Sequence, residues 1–266
     1  MGKRSRGESV LPEGWLRDYL GKADLEASYH ALRSCTHFHA ETMRGRIRSL
    51  QVRPEAARKH FVKSLRLSEE VRETIPNLVR KLVLHLFWFE NRLLQGPLDG
   101  ITDVPQLDLP QVPEPLMSQF PEVKYVLNLR RFAEGILRLH LGEFELSASI
   151  FSDLIEMNPG EPEDSIASYY LGLAAAQENL GLRPLARRNM ENAGFAIQLG
   201  GAVLNRAQFA GKLYAFYTCM GDEEGARDWK FFVERLDCPA ATKQACLKRG
   251  DILIERWSRE SKLLLI

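Results

Sequence analysis

No stretch of this chain is apolar for long enough to cross a bilayer. The most apolar run, Leu82–Phe89, holds eight residues, has His85 inside it, and is edged by Arg80, Lys81 and Glu90. A spanning helix needs about 20. A disulfide framework is missing too. The four cysteines, Cys35, Cys219, Cys238 and Cys246, form no CxxC pair, and three of them crowd into the last fifth of the chain. That usage suits reduced thiols and predicts the cytoplasm, with the nucleus as the alternative. The start, MGKRSRGES, is basic with no apolar stretch behind it, so it does not read as a secretory signal. Arg6 stands where a myristoylation signal needs Ser or Thr. An excess of one charge is also lacking. Lys+Arg 36 against Asp+Glu 35 leaves +1, and such a balance names no partner.

Catalytic patterns are absent. There is no GxxxxGK[ST], no GxGxxG after a strand, no HExxH and no GxSxG. The only dense group of metal-type side chains is His30, Cys35, His37 and His39. On one helix Cys35 and His39 share a face while His37 points elsewhere, and no second cluster completes a zinc site. The acid pairs Glu69-Glu70 and Glu223-Glu224 read as solvated helix ends. The expectation is a protein without catalytic residues, metal or cofactor. An unfamiliar hydrolase or transferase site on a helical scaffold is the weakest alternative.

What is present is helical periodicity. The chain is 45% hydrophobic and 27% charged, an ordinary globular composition for one elongated domain or two small ones. Apolar residues recur at three and four almost everywhere, and no strand pattern stands out. A short helix is predicted over 12–20. Asp24 is expected to cap a helix running to Leu50, Pro54 to open one to Glu73, and Pro76 to open a third closed by Gly96-Pro97. Residues 97–121 break this pattern with six of the thirteen prolines, four acids and no Lys or Arg. They read as an extended linker between an N-terminal helical region, 1–96, and a repeat region, 122–266. It is either a passive spacer or a functional segment that folds back into the protein's own groove.

The repeat is the strongest signal. Gly142, Gly181 and Gly221 are spaced 39 and 40. Seven residues before them stand Gly135, Ala174 and Tyr214, five after them Ser147, Ala186 and Ala226, and four further on Phe151, Met190 and Lys230. Small residues let two helices of a hairpin cross closely, and the glycine supplies the positive φ that ends the first. This pattern resembles the tetratricopeptide repeats. The middle unit carries Tyr170, Leu173, Ala174, Gly181, Ala186, Met190 and Ala193 on the family's consensus columns. The unit before offers Gly135, Gly142, Ser147, Phe151, Leu154 and Pro159, and an N-terminal unit offers Gly45, Ala57 and Phe61. The unit after departs at Tyr214 and Lys230, and the family period is 34 residues rather than 39–40. The resemblance implies an all-α, TPR-like α-solenoid of stacked hairpins, capped here by a helix over 240–262. The apolar tail Leu263–Ile266 then packs on the last repeat or meets another subunit.

The resemblance further implies a partner groove lined by the first helix of each hairpin. By register it holds Leu129, Phe132, Ile136 and Leu139; then Ser168, Leu171, Ala175 and Glu178; then Gln208, Gly211, Ala215 and Thr218. Some of these apolar residues are equally well read as core, since helix phase does not separate the two faces. Relatives that grip chaperone C-terminal carboxylates carry Lys, Arg and Asn on this surface. These twelve positions hold none. The expected partner is a helical or extended apolar peptide. A second feature is basic: Arg44, Arg46, Arg48, Arg53, Arg58, Lys59, Lys63 and Arg66 face only Glu55, eight positive against one negative. That face is either solvated or a site for phosphates of nucleic acid, an anionic lipid surface or an acidic partner.

Overall fold

The computed structural model describes residues 11–72, 74–95, 121–158, 163–260 and 262. The basic N-terminus, the Pro-rich segment up to Phe120, Gly96-Pro97, Pro159-Gly160 and the tail from Leu263 lie outside the described residues. Among those residues the chain forms twelve helices and no strand. In chain order they are α1 (Trp15–Gly21), α2 (Leu25–Ala31), α3 (Phe38–Leu50), α4 (Pro54–Glu69), α5 (Ile75–Gln95) and α6 (Pro121–Leu141). Then follow α7 (Phe144–Met157), α8 (Glu163–Asn179), α9 (Arg183–Leu199), α10 (Val203–Cys219), α11 (Glu223–Arg235) and α12 (Ala240–Glu260). None of them is long and apolar enough to cross a membrane.

Capping sets several of the boundaries. Pro54 occupies the first turn of α4, where its missing N–H costs nothing. The Asp222 carboxylate accepts from the Gly225 amide at 2.9 Å and starts α11. Asp24 does cap a helix, accepting from the Ala27 amide at 2.9 Å, but that helix ends at Ala31 instead of running on to Leu50. The break has a visible cause. The buried Arg44 guanidinium donates to the carbonyls of Leu32 and Cys35, so the chain between α2 and α3 is held as a turn by a side chain from α3. His37 then caps α3, its Nδ1 accepting from the His39 amide at 3.1 Å.

Four hairpins share one closing turn. Gly142, Gly181 and Gly221 have φ of 82°, 75° and 75°. Each amide bonds back three residues, to Leu139, Glu178 and Thr218, and the next amide bonds back five, to Arg138, Gln177 and Tyr217. This pair of bonds satisfies carbonyls left orphaned at a helix end. The turn between α3 and α4 repeats the pattern: Val52 donates to Ser49 and Arg53 to Arg48. Val52 has φ 57° and stands where the others have glycine. Counted from Val52, Gly45 lies seven before, Ala57 five after and Phe61 nine after, the same offsets as Gly135, Ser147 and Phe151 from Gly142. The N-terminal hairpin therefore repeats the later ones in register.

The small residues of these columns permit close packing. A Cβ on Gly135 would lie 2.7 Å from the Phe151 ring, and one on Gly45 would lie 2.7 Å from Phe61. Ser147 donates to the Gly135 carbonyl at 2.9 Å from the facing helix. Ala174, Ala186, Met190 and Ala193 are fully buried, while Tyr170 and Leu173 are half-buried against the same core. The third unit departs where the sequence did. Lys230 is exposed, and Trp229 beside it packs against Gly194.

Residues from both sides of the 97–121 segment share buried clusters. Leu204 of α10 packs with Trp15, Tyr19 and Ile47. Helix α12 lies along α10, with Gly211 and Gly250 at the crossing. It also reaches the N-terminal helices: Thr242 donates to the Ala23 carbonyl at 2.6 Å, and Arg249 to the Ser49 carbonyl at 3.1 Å. The helix expected as a cap for the last repeat also joins the two ends of the chain.

A β-branched residue in the left-handed region is strained by about 1–2 kcal/mol. Val52→Gly is accordingly expected to raise stability by about 1 kcal/mol in chemical denaturation, against the usual cost of glycine. A lower midpoint would show that the turn takes another conformation.

Candidate functional site

The first helices of the four hairpins, α3, α6, α8 and α10, face inward together with α1 and α5. They line a partly open cavity of about 590 Å³. One wall is hydrocarbon: Leu86, Phe89 and Leu93 of α5 and Leu129, Phe132 and Ile136 of α6. Phe132 is held by edge contact with Phe151, ring centroids 5.6 Å apart, and lies 6.0 Å from Tyr169. The opposite wall is polar, with Ser165 and Ser168 on α8 and Asn205, Gln208 and Lys212 on α10. Spacings of three and four put each set on one helix face.

Of the groove residues expected from register, Leu129, Phe132, Ile136, Ser168 and Gln208 line this cavity. Leu139, Leu171, Ala175, Gly211 and Ala215 do not. They are buried between helices, because each first helix is covered on more than one side. Glu178 pairs with Arg183 at 3.2 Å, and Thr218 donates to the Tyr214 carbonyl at 2.8 Å. The inward face of α10 is 205, 208, 209 and 212, so it keeps the assumed 208 but takes 212 in place of 211 and leaves out 215. The expectation that the inner face holds no Lys, Arg or Asn therefore fails at Asn205, Lys212 and Arg46. With it falls that ground for excluding carboxylate tails. The wall from α1, α3 and α5 was not legible either, since no repeat column points to it.

A buried ionic cluster stands at the cavity edge. Glu90 of α5 pairs with Arg46 of α3 and, at 3.0 Å, with Arg249 of α12. Burial raises the Glu90 pKa, but Arg46, Arg249 and Lys212 outweigh it and hold the carboxyl below its ordinary value. Lys212 is pushed down to about 8, chiefly by burial, with Glu90 opposing and Arg249 and Arg46 adding to the fall. Its ammonium lies 5.7 Å over the Phe209 ring and makes no hydrogen bond or ion pair with any described residue. His39, also on the lining, is pushed down to about 4 by burial, with Arg80 and His37 adding to it, and its Nδ1 is buried without a partner among the described residues. At neutral pH this side chain is an uncharged imidazole. The Cys219 and Cys246 thiols are pushed up to about 12 by burial, so neither is a ready nucleophile.

Three of the eight basic side chains, Arg44, Arg46 and Arg48, are drawn into the protein, and the other five stay exposed. Arg44 is buried against Glu41 at 2.5 Å. Arg46 joins Glu90 and covers Phe87 at 4.7 Å. Arg48 pairs with Glu26 at 2.7 Å and lies 3.7 Å over Tyr29. Arg53 approaches Glu26 at 3.5 Å, Arg58 approaches Glu55 at 4.0 Å, and Lys63 reaches Glu41 at 2.6 Å. Lys59 and Arg66 are exposed. Glu41 is the hub: it also meets His60 at 2.8 Å, and although burial raises its pKa, the hydrogen bonds with His60 and Lys63 and the Arg44 and Lys63 charges hold it down to about 2. Sequence counting found one acid in this stretch. The folded chain supplies Glu26, Glu41 and Glu90 from neighbouring segments. Among the described residues no three His, Cys, Asp or Glu side chains gather as a metal site.

Comparison with known proteins finds no matching family model, no matching curated protein and no matching solved structure.

Removing one member of a buried ion cluster costs about 3–5 kcal/mol. Glu90→Gln should lower stability by roughly that amount at pH 7, against under about 0.5 kcal/mol for the exposed Glu69→Gln. Because the folded pKa of Glu90 is depressed, its contribution is complete above the ordinary carboxylate value and fades as pH falls through the folded one. The two denaturation curves should thus converge in acid. Equal midpoints at pH 7 would remove the cluster from the account. For Lys212, the side-chain carbon resonances should show one lysine titrating near pH 8, absent in Lys212→Met. A lysine set titrating wholly above 10 would contradict its burial.

Proposed function

We propose that this chain is a non-catalytic adaptor or scaffold subunit, a tetratricopeptide-like solenoid capped by α12. In this reading it captures a short apolar peptide segment on its inner face. The single observation that carries it is the cavity on the first helices of successive hairpins, where Leu129, Phe132, Ile136, Ser168 and Gln208 meet. The shared turn and the Gly135–Phe151 and Gly45–Phe61 contacts support the repeat architecture. A cavity of about 590 Å³ lies in the range of ligand pockets, so it takes a short part of the guest, helical or extended, rather than its whole length. A second reading, phosphate binding through 44–66, would rest on the exposed Arg53, Arg58, Lys59, Lys63 and Arg66, because Arg44, Arg46 and Arg48 are committed to Glu41, Glu90 and Glu26.

A photo-crosslinking residue in place of Phe132, in the full chain inside the cells that make it, tests this. The expected adducts join one or a few other polypeptides at a short apolar segment. The same residue in place of Leu146, which is exposed, should not reach that segment. Adducts confined to this chain's own residues, or no polypeptide adduct at all, would overturn the adaptor reading.

A further inference from the structure

The cavity is divided into hydrocarbon and polar walls, and its charges do not cancel. Arg46 and Lys212 line it against one carboxylate, Glu90, and Arg249 stands behind that carboxylate. Arg46 and Arg249 both bind Glu90, which leaves the Lys212 ammonium, set over the Phe209 ring, without a hydrogen bond or ion pair among the described residues. Lys212 is half-buried, and a partly desolvated charge without a contacting counter-ion is costly, a cost that an anion in the cavity would relieve. We propose that the cavity binds a single-chain fatty carboxylate, its head on the Lys212 ammonium beside Gln208 and its chain along Leu93, Leu129 and Phe132.

The choice of ligand follows from the groups present. One uncommitted ammonium neutralises one unit of negative charge, which suits a carboxylate rather than a phosphate dianion. Gln208 on the same face of α10 offers an amide donor beside it. Apart from Glu90, the facing α5 and α6 positions on the lining are hydrocarbon, which suits a chain without polar groups. The volume lies within the range of pockets that enclose small ligands. A cationic amphiphile of the same length would set its charge against Lys212, Arg46 and Arg249. The ligand would also cover Phe132 and so exclude a peptide segment from the same wall. That exclusion rests on the adaptor reading, whereas the binding itself does not.

The test uses the full chain with dodecanoate below its micelle concentration, dodecyltrimethylammonium as the matched cation, and calorimetry with methyl NMR of Met43, which lines the cavity. Dodecanoate should saturate at one per chain and shift the Met43 methyl. Lys212→Met should bind it about tenfold more weakly or worse, the loss expected when one partner of a desolvated charge pair is truncated. Lys212→Arg should retain binding, and the cation should bind at least about tenfold more weakly. Melting curves check that both variants fold. If Lys212→Met does not fold, the arginine variant and the comparison of head groups decide. Equal binding of the two amphiphiles, undiminished binding by a folded Lys212→Met, an unmoved Met43 methyl or no saturation would each overturn the proposal. So would a Lys212-dependent peptide carboxylate when dodecanoate does not bind. Loss of the crosslinks from position 132 on adding dodecanoate would establish competition. Crosslinks that persist beside saturable dodecanoate binding would refute exclusion alone.

Discussion

The architecture turns on the carboxylate of Glu90. It sits on α5 and holds Arg46 of α3 and Arg249 of α12, so one side chain ties the N-terminal helices to the last helix of the chain. Arg249 extends the tie by donating to the Ser49 carbonyl, and Thr242 reaches Ala23 one end of α12 away. Two arginines and a carboxylate taken from water are costly unless every group is matched. Here the matching requires α3, α5 and α12 to meet at one place. Hydrophobic burial alone tolerates many arrangements of helices, since it is non-directional. An ion cluster with short, directed contacts tolerates far fewer.

Closure of the chain creates the cavity. A hairpin stack by itself presents an open inner face. With α1, α3 and α5 brought against α6, α8 and α10, that face becomes a partly open cavity of about 590 Å³. Its chemistry follows from which helices meet. The α5 and α6 sides bring leucine and phenylalanine, and α10 brings Asn205, Gln208 and Lys212. The charges that hold the molecule shut also set the field inside it. Arg46 and Arg249 depress the Lys212 pKa along with burial, while Glu90 opposes them. Structure and binding chemistry therefore share the same few side chains.

Helix content and hairpin register were legible in the residues because both rest on local rules. Periodicity of three and four, the helix starts at Asp24 and Pro54, and glycines at 142, 181 and 221 each act within a few residues. The N-terminal hairpin was only half legible. Gly45, Ala57 and Phe61 gave its columns, but Val52 hides the turn, because positive φ is expected of glycine and not of a β-branched residue. The break between α2 and α3 was hidden for a different reason. Its cause is Arg44, a side chain several residues further on, satisfying two carbonyls. On α10 an offset of one position exchanged Gly211 for Lys212 and so missed a cation on the cavity lining.

By itself the sequence determined that the chain is helical, where most helices begin and end, and which small residues allow helices to cross. Those properties depend on steric and hydrogen-bonding preferences of neighbouring residues. Only the tertiary structure decided where charge resides. Eight basic side chains between 44 and 66 look like one positive surface when counted along the chain. In the folded protein Glu26, Glu41 and Glu90 come from other turns and helices to meet them, while Lys212 is left without a hydrogen bond or ion pair among the described residues. Coulomb interaction depends on distance and burial, and folding sets both.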